Sequence, residues 1–298
     1  MPLQIVSHPD YDAGFAPSHR FPMTKYRHLM EQLDALGLTG GLSRPDSISP
    51  DLLRLAHDAD YVEQVLACAV PPGIEREIGF PVDQRVSRRA QLAAGGTLLA
   101  ARLALSHGIA CNAAGGSHHA RRSHGAGFCT FNDVAVASHA LLAEGLVANV
   151  LVVDLDVHQG DGTADILGGN PAVFTFSMHA EKNYPMRKEA SGLDIGLPDG
   201  TEDDAYLETL ASTLTGLSRL RDWDIVFYNA GVDPHREDRL GRLSLSDEGL
   251  RRRDRMVIEH FRAANIPLCG VIGGGYSNDA PALAARHAIL FETAAAFA

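Results

Sequence analysis

Cysteine is scarce in this 298-residue chain: four residues, Cys68, Cys111, Cys129 and Cys269, scattered without a CxxC pair. That spacing excludes a thiolate-based structural zinc site. It predicts reduced, mostly buried thiols of the cytoplasmic kind rather than a disulfide framework. Positive charge is also short. Lys and Arg number 26 against 37 Asp and Glu, a formal net charge of −11. Such a balance argues against general nucleic-acid binding. It suits a cationic substrate, although many cytosolic proteins are as acidic. No apolar run reaches the ~18 residues a membrane span needs, and the N-terminus lacks the basic stretch and apolar core of a signal peptide. The expectation is a cytoplasmic protein with no nucleic-acid or membrane partner. Oligomeric state cannot be read from the sequence, and the chain has no internal repeat or low-complexity segment.

What the chain does have is apolar content, 45% of residues, enough for a sizeable core. Apolar, β-rich runs recur at Ile109–Cys111, Val150–Val153, Val173–Ser177, Ile225–Asn229 and Leu268–Ile272. Helical patterns separate them, at Met23–Leu36, Tyr61–Ala69, Val86–His107, Val134–Glu144, Asp203–Leu220 and Asp247–Ala264, with a last helix from Ala280 onward. Strands alternating with helices predict a parallel α/β sheet covered on both faces. The stretches Val70–Pro81 and His179–Asp199 read as loops, the second a candidate pocket rim, and neither as a domain boundary. One domain over residues 1–298 is the simplest reading. In such sheets ligands sit outside the carboxyl ends of the strands. The polar clusters Gly115–His119, Asp154–Asp161, Ser177–His179, Asn229–Asp233 and Gly273–Tyr276 all fall at those ends.

The run Val152-Val153-Asp154-Leu155-Asp156-Val157-His158-Gln159-Gly160-Asp161-Gly162 begins as a buried strand and ends in four ionisable side chains. Burying them without compensation would be costly, and the economical compensation is a metal. Alternation along a strand lets positions 154, 156 and 158 share one face. Asp156 and His158 offer an oxygen and a nitrogen, and Asp233 is the best third ligand from another strand end. One His and two Asp leave a position open for water, as catalytic zinc requires; iron(II) fits the same donors. An Asp-rich turn with capping roles would present similar letters.

Two adjacent histidines, His118 and His119, follow a glycine turn. Asp154 and Asp161 are not needed as metal ligands, so each is available to accept a hydrogen bond from one imidazole. Two His–Asp pairs beside a metal-activated water make a general acid–base system. Three glycines at 273–275 let the backbone approach closely and deliver Tyr276, a hydrogen-bond donor for a substrate carbonyl. In isolation that segment reads first as a turn with a half-buried tyrosine. Phe128, after Gly127, is a candidate wall of a narrow channel, and Tyr184 the opposite wall; Cys129 reads as core.

Assembled in this order, the segments Gly115-Gly116-Ser117-His118-His119-Ala120, Gly127-Phe128-Cys129 with Asn132-Asp133, Asp154–Gly162, Asn229–Asp233 and Gly273–Tyr276 resemble the zinc-dependent histone deacetylase family. The compact length, Asp238-Arg239-Leu240-Gly241 and the early His19-Arg20-Phe21-Pro22-Met23 look most like the class IV branch and its bacterial relatives. The resemblance implies the arginase–deacetylase fold, with a central parallel sheet of about eight strands between helix layers. It implies zinc on Asp156, His158 and Asp233. It pairs His119 with Asp161 as the principal general base and then acid, and His118 with Asp154 as a charge-tuning neighbour. It makes Tyr276 the group that polarises the scissile carbonyl, and Phe128 a lining of the acyl-lysine channel. It also implies a structural potassium or sodium ion near Asp154, Asp156, His158, Ser177 and Met178, partly through backbone carbonyls.

The implied activity is removal of acetyl or longer acyl groups from lysine side chains in protein or peptide. A deacetylase of N-acetylpolyamines or another small amine would use the same machinery. A binuclear ureohydrolase needs additional aspartates, but Gly160 stands two residues after His158 and Gly231 two before Asp233. A catalytically dead acyl-lysine binder would have no reason to keep all the matched residues.

Overall fold

The computed structural model describes residues 1–16 and 18–298. Eight strands form one sheet: β1 (Gln4–Val6), β2 (Leu42–Ser43), β3 (Ile109–Asn112), β4 (Val150–Asp154), β5 (Val173–Ala180), β6 (Leu193–Leu197), β7 (Ile225–Asn229) and β8 (Leu268–Val271). Their spatial order is β2-β1-β3-β8-β7-β4-β5-β6, and every pairing is parallel. The inner strands read as β-branched and apolar runs because both their faces are covered. β3, β4, β7 and β8 are buried at every position.

Ten α-helices accompany the sheet among the described residues: α1 (Lys25–Ala35), α2 (Pro50–Leu53), α3 (Ala59–Leu66), α4 (Pro72–Ile78), α5 (Gln84–His107), α6 (Asp133–Ala143), α7 (Asp161–Leu167), α8 (Asp203–Leu217), α9 (Asp247–Ala263) and α10 (Ala280–Ala295). α5 packs on β1, β3 and β8 and beside α6, while α10 packs with α1 and α9. The helix starts are chemically marked. Asp83 caps α5 by accepting from the Arg85 and Val86 amides, Asn132 caps α6, and Ser246 caps α9.

Strands β1, β2 and β6 and helices α2 and α4 were not assigned from the sequence. β1 and β2 are too short to show a pattern. β6 falls inside the expected loop 179–199; it is an edge strand with mostly exposed side chains, so it lacks the apolar run that marks the inner strands. α4 falls inside the expected loop 70–81; its paired prolines and glycine read as loop, yet Pro72 sits at the first helical position, where a missing N–H costs nothing.

The chain winds outward from β4 through β5 to β6, then returns through β7 to β8 beside β3. Four central neighbours, β3, β8, β7 and β4, therefore end side by side. Their trailing loops carry, in that order, His118–His119, Gly273–Tyr276, Asp233 and Asp156–Asp161.

Candidate active site

Asp156 and His158 follow β4, and Asp233 follows β7. Backbone amides aim their carboxylates: the His158 N–H donates to Asp156 Oδ1 (3.0 Å), Gly274 N–H to Asp156 Oδ2 (2.7 Å) and Val157 N–H to Asp233 Oδ1 (2.9 Å). Donor atoms of all three residues lie within 4.8 Å of one another, and all three are buried. His158 Nδ1 is 3.0 Å from Asp156 Oδ1 and 3.1 Å from Asp233 Oδ2. A tetrahedron built on zinc bonds of about 2.0–2.2 Å has edges of about 3.3–3.6 Å, so the set would need to expand by a few tenths of an ångström.

The charges point the same way. Burial resists a proton on His158, but Asp156 and Asp233 overcome it and push the imidazole up to about 10. Burial and the neighbouring Asp156 push Asp233 up to about 7. Two carboxylates crowded on one imidazole call for a cation at their centre. Glycine makes the crowding feasible. A Cβ on Gly231 would fall 2.4 Å from Asp156 Oδ2, and one on Gly274 2.1 Å from Asp233 Oδ2.

The two histidines sit on the turn after β3. His118 Nδ1 is 2.7 Å from Asp154 Oδ2, and His119 Nδ1 is 2.6 Å from Asp161 Oδ1. Asp154 also accepts from Asn229 Nδ2 (3.0 Å), and Asp161 from an Arg121 guanidinium N–H (2.8 Å). These partners separate two chemically identical side chains. At His118 burial opposes the proton, but Asp154 and Asp156 prevail and raise it to about 9. At His119 burial and the neighbouring His118 together outweigh Asp161 and hold it at about 4. The surroundings thus favour a proton on His118 and disfavour one on His119.

Tyr276 lies beside them, its ring 6.1 Å from that of His158 and 5.7 Å from that of Phe128. The Tyr276 N–H donates to Asp238 Oδ2 (2.7 Å), which fixes the backbone behind the ring. Phe128 and Tyr184 both line the mouth of the pocket, together with His119, His158 and Tyr276. Tyr184 stands edge-on to His119, 4.8 Å between ring centres. Below the mouth an inner cavity of about 20 Å³ is lined by Phe21, Arg89, Gly116, His118, Phe128 and Gly274 among others. Ser177 pairs in register with Asp154 across β4 and β5, which brings Ser177 and Met178 next to the metal strand.

All the residues singled out in the sequence thus meet at one end of the sheet. Several supporting groups were given no role in the sequence reading. Asp133 accepts from the amides of Gly116 and Ser117 (3.1 and 2.8 Å) and so holds the turn that carries both histidines. Lys25, 1% exposed, donates to the Gly273 carbonyl (3.0 Å); burial pulls its pKa down to about 8, with Asp233 opposing. Arg253, fully buried on α9, donates to the carbonyls of Gly231 (2.6 Å) and Leu155 (3.3 Å). Within Arg251-Arg252-Arg253 nothing in the letters distinguishes the buried arginine from the two beside it. Asp133 was the most legible of these, because it follows an Asn at a helix start.

A parallel sheet whose central strand ends converge on a buried Asp–His–Asp group is an α/β scaffold with a donor set able to hold a metal. The histone deacetylase domain matches residues 19–291, and the chain belongs to the histone deacetylase family. Histone deacetylase 2 of Arabidopsis thaliana is 31% identical over 288 residues, 92% of this chain and 74% of the relative. An uncharacterised protein of Picosynechococcus is 46% identical over 300 residues, 99% of both. The solved acetylpolyamine aminohydrolase from Burkholderia pseudomallei shares the fold with a TM-score of 0.77, at 23% identity over 98% of both chains. The chain is accordingly a deacetylase-type amidohydrolase. The family is generally zinc-dependent, and the buried Asp156–His158–Asp233 group is a site of that kind.

Proposed function

We propose that the protein is a zinc-dependent deacetylase of N-acetyl-lysine side chains. The observation that carries this reading is the meeting of the Asp156–His158–Asp233 donor set, the His119–Asp161 pair and Tyr276 at the base of one pocket. Zinc held by the three donors supplies Lewis acidity and lowers the pKa of a water; iron(II) suits the same set. A structural potassium or sodium ion beside Asp154, Asp156, His158, Ser177 and Met178 belongs to the same reading.

His119 donates its Nδ1–H to Asp161, which leaves Nε2 as the basic nitrogen. Being neutral, it takes the proton from the attacking water and later delivers it to the leaving amine. Tyr276 donates its hydroxyl to the carbonyl oxygen as negative charge develops there. His118, kept protonated by Asp154, contributes positive charge without needing to transfer a proton. Phe128 and Tyr184 flank the aliphatic part of the lysine.

The size of the inner cavity favours acetyl over long acyl chains, since about 20 Å³ accommodates little more than one water-sized group. The test combines metal analysis with turnover of acetyl- and long-chain acyl-lysine peptides. One zinc per chain and fastest release of acetyl are expected. A zinc-loaded chain inert on every amide would overturn the reading, and faster release of a long acyl chain would overturn its acetyl part.

A further inference from the structure

We propose that the pocket mouth is a cationic collar that selects acyl-lysines embedded in acidic peptide segments. The inference rests on the amidohydrolase reading and specifies the amine side of its substrate. The mouth encloses about 460 Å³ and is lined by Arg20, Arg76, Lys182 and Arg242, against a single lining carboxylate, Glu77. These four cations come from four separate segments: the stretch before α1, helix α4, the loop after β5 and the loop between β7 and α9. No charge run in the sequence announces them.

Of the four, Arg242 pairs with Asp199 at 3.1 Å. Arg20, Arg76 and Lys182 are exposed and make no side-chain ion pair among the described residues, while Glu77 faces His124 at 3.5 Å. The collar therefore presents unneutralised positive charge where the backbone flanking a bound lysine must lie.

A chain of net charge −11 repels an anionic peptide at a distance. Within a Debye length of about 8 Å at physiological salt, however, the local charges decide. They oppose polycationic amines and basic tails and favour Asp- or Glu-flanked lysines.

The experiment uses the zinc-loaded full chain and three acetyl-lysine peptides that differ only in acidic, neutral or basic flanks, with N-acetylspermidine as a fourth substrate. At low ionic strength kcat/KM is expected to be about tenfold higher for the acidic than for the neutral peptide, as several weak exposed pairs acting together allow. It should be lowest for the basic peptide and the polyamine. High salt should close the gap. Arg76→Glu/Lys182→Glu should invert the order while leaving the neutral peptide within about twofold. Fluorescence anisotropy of labelled peptides on a His119→Ala variant should give the same order in affinity, separating binding from chemistry. Preference for the basic peptide or the polyamine, or an order unmoved by the double substitution, overturns the proposal while the neutral peptide is still hydrolysed. Failure to hydrolyse any of the four overturns the amidohydrolase reading, and this proposal with it.

Discussion

At the scale of the residue, the site works by making like side chains unlike. His118 and His119 are neighbours with ring centres 4.2 Å apart, yet one is raised to about 9 and the other held at about 4. The sequence showed that both had carboxylate partners to hand. The division of labour depends on Asp156 lying close to His118, which no spacing reveals. His119→Ala is expected to lower turnover by roughly 10²–10⁴-fold while zinc content, measured by mass spectrometry, stays at wild type. Retained turnover would move the base to another group. Tyr276 offers a cleaner test, because its hydroxyl makes no hydrogen bond among the described residues while its ring packs on Phe128. Tyr276→Phe should therefore leave the melting temperature unchanged and cut kcat at least about a hundredfold.

At the scale of the element, the strand ends are held from behind by groups on helices. Arg253 on α9 is tied to the Gly231 and Leu155 carbonyls and to Asp254, which also accepts from the Tyr228 hydroxyl (2.6 Å). Arg253→Ala would strip Asp254 of a buried partner and leave the carbonyls unpaired. Urea denaturation should show a loss of about 3–5 kcal/mol. The glycine loop after β8 makes a different contribution, which is space. Gly274→Ala places a methyl against Asp233 and removes the fit that lets its amide reach Asp156. Chelator competition should show zinc affinity lower by roughly 10–100-fold, as for other changes that misorient ligands. Helices and inner strands were legible because their apolar periods are strong. The edge strand β6 and helix α4 were not: one is exposed along most of its length, and the other starts with residues that usually break helices.

At the scale of the whole molecule, stability is linked to pH through buried histidines. His57 is 1% exposed; it accepts from the Asn132 N–H at Nε2 (2.9 Å), so Nδ1 carries the proton and donates to the Arg121 carbonyl (2.9 Å). Burial, only partly offset by the backbone of Arg121 and Arg122, lowers its pKa to about 4. The folded value is depressed, so the unfolded chain takes up the proton first. His57 therefore contributes stability in full above the unfolded value near 6.5, and loses it as pH falls from there towards about 4. Thermal melts between pH 7.5 and 4.5 should show that fall, and His57→Gln should reduce its slope.

The sequence by itself determined the chemistry: an Asp–His–Asp donor set, two His–Asp pairs, a tyrosine on a glycine loop, and a parallel sheet to carry them at its strand ends. The residue types and the short-range periods are local and so survive in a string of letters, although the pairs themselves join residues 36 to 75 positions apart. Only the tertiary structure decided which strands stand side by side. The winding that seats β8 and β7 between β3 and β4 joins residues more than a hundred positions apart. It also decided which charges meet at the mouth. Summed along the chain the charge is −11, but Arg20, Arg76, Lys182 and Arg242 converge there from four segments, and electrostatics at that range follows position rather than the total.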